Sequence, residues 1–219
     1  MKKKIINEDQ HTKIPLKEIV PEYSSGNPLI RWLFNKRQQI ASYYIYKIKP
    51  NKLLDLGCGD GSFIRRIKNK FPNIKTFGVD INPNVIQLNK IFNEKIFSKQ
   101  DISNLSFKKN SFDVVVCLDV LEHIKNLDVA LSKIKRILIN GGYLITSEPS
   151  ENLLYKGLRF LYKGTYSEKG GPGAGAHYSN AKEIDKVIKN SGFKKLDNKK
   201  IPLSFPLVDL FHINLYVKL

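Results

Sequence analysis

Apolar and polar positions alternate in two rhythms between about residues 52 and 150. Short apolar runs, which predict buried strands, lie at Lys52–Leu56, Ile74–Val79, Lys95–Ser98, Phe112–Leu118 and Tyr143–Thr146. Apolar residues at helical spacing lie at Asp60–Lys70, from Pro83 onward, and at Leu127–Ile139, where Asn140-Gly141-Gly142 predicts the helix end. Repeated β-α units of this kind predict an α/β fold, in which helices cover both faces of a parallel sheet.

The two ends of the chain extend this pattern. Asn27 followed by Pro28 predicts the start of a helix that runs toward Tyr46, because Pro is favoured at the first helical position. A last helix is predicted at 180–190, followed by strands at 193–196 and 214–219. We therefore expect a polar N-terminal segment (1–22) and one domain (23–219), with a cap helix region (23–50) and a lid or insert (151–176) that ends in a glycine-rich run.

Composition narrows the class of protein further. The 219 residues carry a formal charge of +17, but Lys outnumbers Arg by 31 to 6, and Arg is the residue favoured for bidentate phosphate contacts. A nucleic-acid substrate is therefore disfavoured relative to a solvated Lys-rich surface. No apolar run is long enough to span a bilayer and no secretory signal is expected. Two cysteines cannot form a disulfide framework, which predicts a cytoplasmic protein.

A glycine cluster joins the first predicted strand to the first helix. Gly57, Gly59 and Gly61 let a ligand approach the backbone, but Ser62 stands where a dinucleotide-binding loop needs its third glycine. This disfavours an NAD-binding oxidoreductase. Asp55 lies two residues before the cluster, and its carboxylate would repel a pyrophosphate. It would suit a cationic ligand such as S-adenosylmethionine, which carries a sulfonium and an ammonium group.

Further carboxylates follow at the ends of the next two strands. Asp80 is placed to accept hydrogen bonds from ribose hydroxyls. Asp101 could accept a bond from an adenine amino group while the backbone N–H of Ile102 meets the ring. Each Asp alone could equally cap a helix or a turn. Three carboxylates at successive strand ends, together with the glycine loop, favour a nucleoside-bearing ligand.

These motifs resemble those of class I S-adenosylmethionine-dependent methyltransferases, and within them the small-molecule "type 11" group that includes ubiquinone and menaquinone methylases. The resemblance covers about two-thirds of the chain and rests on the segments at 53–63, 77–86, 99–103, 112–124, 138–150 and 177–193. It implies a Rossmann-like, doubly wound sheet of seven strands with the last strand antiparallel. It also implies cofactor contacts from Asp55, Gly57, Cys58, Gly59, Gly61, Asp80, Ile81, Asp101, Ile102 and Leu118.

The candidate chemistry follows the fourth strand. His177 and His123 are candidate bases for removing a proton from an acceptor hydroxyl. Glu122 and His123 could instead fix a loop. A third interpretation is a divalent-metal site of Asp119, Glu122, His123 and His177. This D-x-x-E-H pattern resembles the E-x-x-E-H motif of small-RNA 2′-O-methyltransferases and some ubiquinone-pathway enzymes, but Asp119 replaces the first Glu.

The acceptor is the least constrained part of the prediction. We expect a small molecule, with oxygen favoured over carbon or nitrogen, and lipid-like or quinone-like chemistry suits the aromatic residues around the expected pocket. The segment 151–163 is predicted to be a lid helix, or alternatively a basic amphipathic helix touching a membrane surface. The remaining alternatives are an RNA 2′-O-methyltransferase with a divalent metal, and a module that binds S-adenosylmethionine without catalysis.

Overall fold

A computed structural model describes residues 26–150, 152, 157, 177–202 and 209–219. The strands are Lys52–Leu56 (β1), Lys75–Asp80 (β2), Phe97–Lys99 (β3), Phe112–Leu118 (β4), Leu138–Pro149 (β5), Phe193–Ile201 (β6) and Phe211–Lys218 (β7). The α-helices are Pro28–Ile48 (α1), Ser62–Lys70 (α2), Leu88–Phe92 (α3), Leu127–Ile137 (α4) and Ala181–Asn190 (α5). Short 3-10 turns lie at Pro83–Gln87, Ile102–Asn104 and Leu121–His123.

The seven strands form one sheet in the order β3-β2-β1-β4-β5-β7-β6. The pairings from β3 to β5 are parallel, while β7 runs antiparallel to both of its neighbours. The predicted α/β class and the seven-stranded sheet with an antiparallel last strand are confirmed. Because β1 to β4 are parallel, their carboxyl ends meet at one edge of the sheet, and this edge carries the candidate site.

Helices cover both faces of the sheet, as the repeated β-α pattern predicts. On one face, α4 and α5 pack their apolar sides against strand residues that include Leu54, Val115 and Leu144. On the other face, α1 and α2 pack against residues that include Leu53 and Val114. Adjacent positions of β1 and β4 thus point to opposite cores, which explains why both strands are continuous apolar runs.

The N-terminal helix begins where the sequence predicts. The Asn27 side chain accepts a hydrogen bond from the backbone N–H of Leu29 at 2.9 Å, and Pro28 occupies the first turn. The helix continues two residues beyond Tyr46 to Ile48 and ends at Lys49, which adopts a left-handed conformation. The exposed side of α1 carries Trp32 and Tyr43, so these aromatics are not core residues.

Most element bounds differ from the sequence-based prediction by one to a few residues, and one of the largest differences is at the junction of α4 and β5. The helix predicted at Leu127–Ile139 ends at Ile137, and Asn140-Gly141-Gly142 lies inside β5 rather than ending the helix. This segment is a strand rather than a helix end because β5 pairs with β4. Phe112 pairs with Leu138, and the register of the two strands then shifts opposite Asp113. A Cβ on Gly142 would lie 3.2 Å from the Asp113 carbonyl oxygen, so glycine permits this close backbone approach.

The helix predicted from Pro83 begins as a 3-10 turn and becomes α-helical at Leu88. Among the described residues, no helix is long and apolar enough to cross a membrane. The predicted N-terminal segment (1–22), the glycine-rich run and most of the 151–163 segment lie outside the described residues. The domain division therefore stays a prediction.

Candidate functional site

The glycine loop leaves β1 in a conformation that other residues rarely adopt. Gly57, Gly59 and Gly61 have φ angles of 72°, 51° and 73°, all in the left-handed region. The backbone N–H groups of Gly57 and Cys58 both donate to the Val79 carbonyl, at 2.8 and 3.0 Å. These two bonds hold the start of the loop against the end of β2, so the loop and the next strand end form one surface.

Gly57 is also required for packing. A Cβ built on it would lie 2.4 Å from a methyl carbon of Val120, the residue that precedes the Leu121–His123 turn. Real Cβ atoms essentially never approach so closely. The glycine loop is therefore in direct contact with the turn that carries Glu122 and His123.

Asp55 is a buried carboxylate with no cationic partner among the described residues. Its exposed fraction is 3%, and its pKa is raised to about 8 by burial and then by the nearby Asp80 and Asp60 carboxylates. No positively charged side chain among the described residues offsets the cost of burying the ionised carboxylate. A cation bound at the loop would stabilise the ionised form, which fits the predicted role of Asp55 toward a sulfonium or ammonium group.

Asp80 ends β2 with both carboxylate oxygens engaged by backbone. One oxygen accepts from Gly59 N–H and the other from Asn82 N–H, each at 2.9 Å. The carboxylate is thus held at the mouth of the glycine loop, where sequence analysis places the ribose site. Next to it, Ile81 has a side chain that is 68% exposed, so it offers apolar surface at the same edge.

The other predicted cofactor residues lie along the same edge with different exposure. Asp101 is exposed and caps the turn at Ile102–Asn104, its side chain accepting from Ser103 N–H at 2.7 Å. The Ile102 side chain is buried in the core. Leu118 is half-buried at the end of β4, and the thiol of Cys58 is buried with its pKa raised by desolvation.

Asp119 has a partner that sequence reasoning missed. Its carboxylate forms an ion pair with Arg37, a fully buried residue of α1, and accepts a hydrogen bond from Ser147 Oγ at 2.9 Å. The Arg37 guanidinium also lies over the rings of Phe34 and Phe211, 3.7 and 4.2 Å from their centroids. The sequence signal was an Arg at a helix position surrounded by apolar residues, which requires a buried anion nearby.

This ion pair corrects the predicted four-residue metal set. Glu122, His123 and His177 come together, with ligand atoms that all lie within 4.8 Å of one another, but Asp119 is not in the group. Because its carboxylate is held by Arg37 and Ser147, Asp119 serves the packing of α1 on the sheet. The two candidate bases, His123 and His177, are neighbours with ring centroids 4.8 Å apart.

Two further buried acids lie beyond the β4 end. Glu122 is buried, and desolvation together with the Asp119 charge raises its pKa well above the usual range. Glu148 on β5 is fully buried, and desolvation raises its pKa to about 8 despite a hydrogen bond from Asn214 at 2.8 Å. The site therefore combines a cradle for a cationic nucleoside ligand with a turn carrying two imidazoles and a carboxyl group.

Comparison with known proteins agrees with this geometry. Residues 54–146 match the family described as a methyltransferase domain. The chain is 39% identical over 153 residues to an uncharacterized protein of Methanocaldococcus jannaschii, covering 64% of this chain and 65% of that protein. It is 26% identical over 138 residues to a demethylmenaquinone methyltransferase of Bacteroides fragilis, covering 59% and 56%. Over its central residues the chain is therefore similar to the class I S-adenosylmethionine-dependent methyltransferases.

Comparison with solved structures shows that this chain shares their fold. A Pyrococcus horikoshii protein superposes with a TM-score of 0.67 at 18% identity, covering 94% of this chain and 99% of that one. The N-methyltransferase NodS of Bradyrhizobium japonicum, solved with S-adenosyl-L-homocysteine, gives a TM-score of 0.64 at 16% identity, covering 93% and 96%. The predicted enzyme family, with S-adenosylmethionine as the family's cofactor, is confirmed. The chain spans about half to two-thirds of the length of the two curated relatives given above.

Proposed function

We propose that this protein transfers a methyl group from S-adenosylmethionine to a small-molecule acceptor. The observation that carries the proposal is the glycine loop, where left-handed glycines follow a buried carboxylate, Asp55, that has no cationic partner among the described residues. When bound, the cofactor supplies a methyl group on a positively charged sulfur. A carboxylate kept free of protein cations is the complement that such a ligand requires.

The chain's own residues would perform the remaining tasks. Gly59 and Asp80 would position the ribose, since the Gly59 N–H of the glycine loop donates to the Asp80 carboxylate and holds it beside the loop. Asp55 would give up its proton when a cation binds, because the ligand's charge replaces the solvation that burial removed. The enzyme's main contribution would be alignment of the acceptor with the methyl group, which avoids the entropic cost of a bimolecular encounter.

Oxygen is the acceptor atom that the site favours. A hydroxyl must lose its proton during methyl transfer, and the imidazoles of His123 and His177 lie together on the turn that touches the glycine loop. His177 or His123 would take that proton. The name of the Bacteroides fragilis relative, a demethylmenaquinone methyltransferase, supports a quinone-like or other ring-bearing acceptor.

The surroundings that we propose follow from composition and charge. Both cysteines are buried and free, which supports a reducing, cytoplasmic setting. The scarcity of Arg, 6 residues against 31 Lys, disfavours a nucleic-acid acceptor, and the charge of +17 would serve to attract an anionic acceptor or a membrane surface. Contact with a membrane through residues 151–163 stays part of the proposal.

The first experiment measures S-adenosylhomocysteine binding by titration calorimetry on the full chain. Asp80→Ala should weaken binding by about 1–3 kcal/mol, because hydrogen bonds to a charged group are lost. Asp113→Ala is the matched control: its carboxylate also accepts two backbone N–H groups, from Asn51 and Lys52, but at the opposite edge of the sheet. Equal losses in both variants would remove the ribose assignment.

The second experiment tests transfer itself. Incubation with S-adenosylmethionine and a panel of catechols, hydroquinones and sterols should yield S-adenosylhomocysteine and a product heavier by one methylene group. Thermal stabilisation by NAD but not by S-adenosylhomocysteine would overturn the proposal. Tight S-adenosylhomocysteine binding without turnover on the panel, combined with salt-sensitive RNA binding, would favour an RNA acceptor instead.

A further inference from the structure

We propose that Glu122, His123 and His177 form a binding site for one divalent transition-metal ion. Each of the three residues offers a ligand atom, and these atoms all lie within 4.8 Å of one another. Two imidazoles and one carboxylate are a donor set that suits zinc, iron(II), cobalt(II) and related ions. Such a set leaves coordination positions open for a further ligand.

The fold itself holds the three residues together. His123 and Glu122 share the Leu121–His123 turn, where His123 N–H donates to the Val120 carbonyl at 3.0 Å. His177 lies 54 positions after His123 in the chain. Its neighbour Tyr178 is held beside Glu122 by a backbone hydrogen bond, in which Tyr178 N–H donates to the Glu122 carbonyl at 2.7 Å. The site is therefore built from two distant segments that a specific hydrogen bond brings into register.

Glu122 provides an independent sign that a ligand is expected. Its exposed fraction is 2%, and its Oε2 atom has no hydrogen-bond partner among the residues the structure describes. A buried carboxylate oxygen without a partner is costly, and proteins normally satisfy such atoms or pair them with a cation. A metal ion would satisfy it and would favour the ionised carboxylate.

The required adjustment is small. Ligand atoms that each lie about 2.0–2.2 Å from one ion are roughly 3–3.5 Å apart, so the cluster would contract by about 1–2 Å on binding. Both histidines are half-buried and their rings meet edge to face at an interplanar angle of 76°. Rotation of these two side chains could supply the contraction without moving the strands.

The location gives the ion a role at the acceptor. Val120, which precedes the turn, touches Gly57 of the glycine loop, so the cluster adjoins the place where methyl transfer is proposed. A divalent ion there would bind an acceptor hydroxyl and lower its pKa, which would replace direct proton acceptance by His123 or His177 when the ion is bound. This role rests on the proposed function, whereas metal binding itself does not.

The test uses the full chain after chelator treatment, without cofactor or acceptor. Titration with cobalt(II), followed by its visible absorption and then displaced by zinc, should give one ion per chain. His177→Ala and Glu122→Gln should each weaken cobalt binding by at least about tenfold, the loss that even outer-shell partners cause. His212→Ala is the matched control, since that imidazole pairs with Asp209 away from the cluster.

The outcomes separate clearly. Thermal unfolding of each variant establishes that it is folded, and His177 is the safer position because it lies outside the helices and strands. Absence of one-to-one cobalt binding in the wild type at millimolar ion, or unchanged affinity in folded His177→Ala, would overturn the metal site. S-adenosylhomocysteine binding measured on the same samples would then still support the proposed methyl transfer.

Discussion

Two acids near strand ends at the carboxyl edge of the sheet, Asp55 and Asp119, lie in opposite electrostatic surroundings. Among the described residues, the charged neighbours that shift the pKa of Asp55 are carboxylates, and Asp80 is held by backbone N–H groups. On the β4–β5 side, the acid at the end of β4, Asp119, is paired with the buried guanidinium of Arg37. Both acids lie near the same kind of strand end, so the difference lies in what packs above them.

This difference determines whether a carboxylate contributes to ligand binding or to the stability of the fold. A carboxylate that the protein leaves uncompensated raises the free energy of the empty fold and lowers the free energy of a complex with a cation. A carboxylate that the protein compensates contributes to the packing of α1 and is unavailable to a ligand. We therefore expect substitution of Arg37 or Asp119 to affect stability, and substitution of Asp55 or Asp80 to affect cofactor affinity.

The largest effect is expected for Arg37→Met. This change leaves the Asp119 carboxylate without its cation in a partly buried place, and breaking a buried pair costs about 3–5 kcal/mol. Urea unfolding measures the loss. The double variant Arg37→Met/Asp119→Asn should recover a large part of it, because no uncompensated charge remains.

Lys36→Ala is the control for Arg37→Met, since it removes a neighbouring charge from the same helix at a half-buried position. It should change the free energy of unfolding by less than about 0.5 kcal/mol. A similar small change in Arg37→Met would contradict the view that this ion pair stabilises the fold.

Gly57→Ala is expected to have the next largest effect. The left-handed φ of 72° costs an L-residue about 1–2 kcal/mol, and the overlap with Val120 adds about 1–3 kcal/mol. Chemical denaturation should therefore show a loss of about 2–5 kcal/mol. Adding Val120→Ala should relieve the overlap and make the two changes less than additive.

Gly141→Ala separates the two contributions to the Gly57 effect. Gly141 has the same φ of 72°, but nothing lies within 4 Å of a Cβ built on it. The Gly141→Ala variant should lose only the free energy due to the left-handed backbone conformation, about 1–2 kcal/mol. Equal losses at both glycines would mean that contact between the glycine loop and Val120 is energetically unimportant.

The most gradual expected effect is a pH dependence carried by Asp55, because it is spread over several pH units. Its pKa rises from the ordinary 3.8 to about 8 on folding, so the folded protein binds an extra proton between those values. Stability from this group is therefore present at low pH and falls as pH rises toward 8, by about 1.4 kcal/mol per pH unit at most. Asp55→Asn should remove this part of the slope, so the variant gains stability relative to wild type from pH 6 to pH 8 in thermal unfolding.

The same variant should bind S-adenosylhomocysteine more weakly, because the ligand's ammonium loses its carboxylate partner. Wild-type affinity should increase as pH rises toward 8, whereas the variant's affinity should not follow that increase. Glu148 has a pKa raised in the same direction, but it is unchanged in the comparison and cancels in the difference. Identical pH profiles for the two proteins would contradict an uncompensated Asp55.

Local patterns predicted the fold because the sheet is built from uninterrupted apolar runs. Lys52–Leu56 and Phe112–Leu118 have the predicted bounds, since strands buried on both faces have no polar positions to blur them. The predicted end of α4 was wrong because the segment Asn140-Gly141-Gly142 is compatible with two local structures, a helix stop and a bulged strand. Pairing with β4 decides between them, and pairing is not a local property.

By itself, the sequence determined the class of ligand: glycines at 57, 59 and 61 and acids at successive strand ends imply the cradle, because topology carries parallel strand ends to one edge. Only the tertiary structure decided which acid after β4 pairs with a cationic side chain and which lies beside the two histidines. Arg37 lies 82 positions before Asp119, and His177 lies 54 positions after His123. Electrostatic pairing and coordination depend on distance in space, so the ion pair and the Glu122–His123–His177 cluster emerged only when the chain was folded.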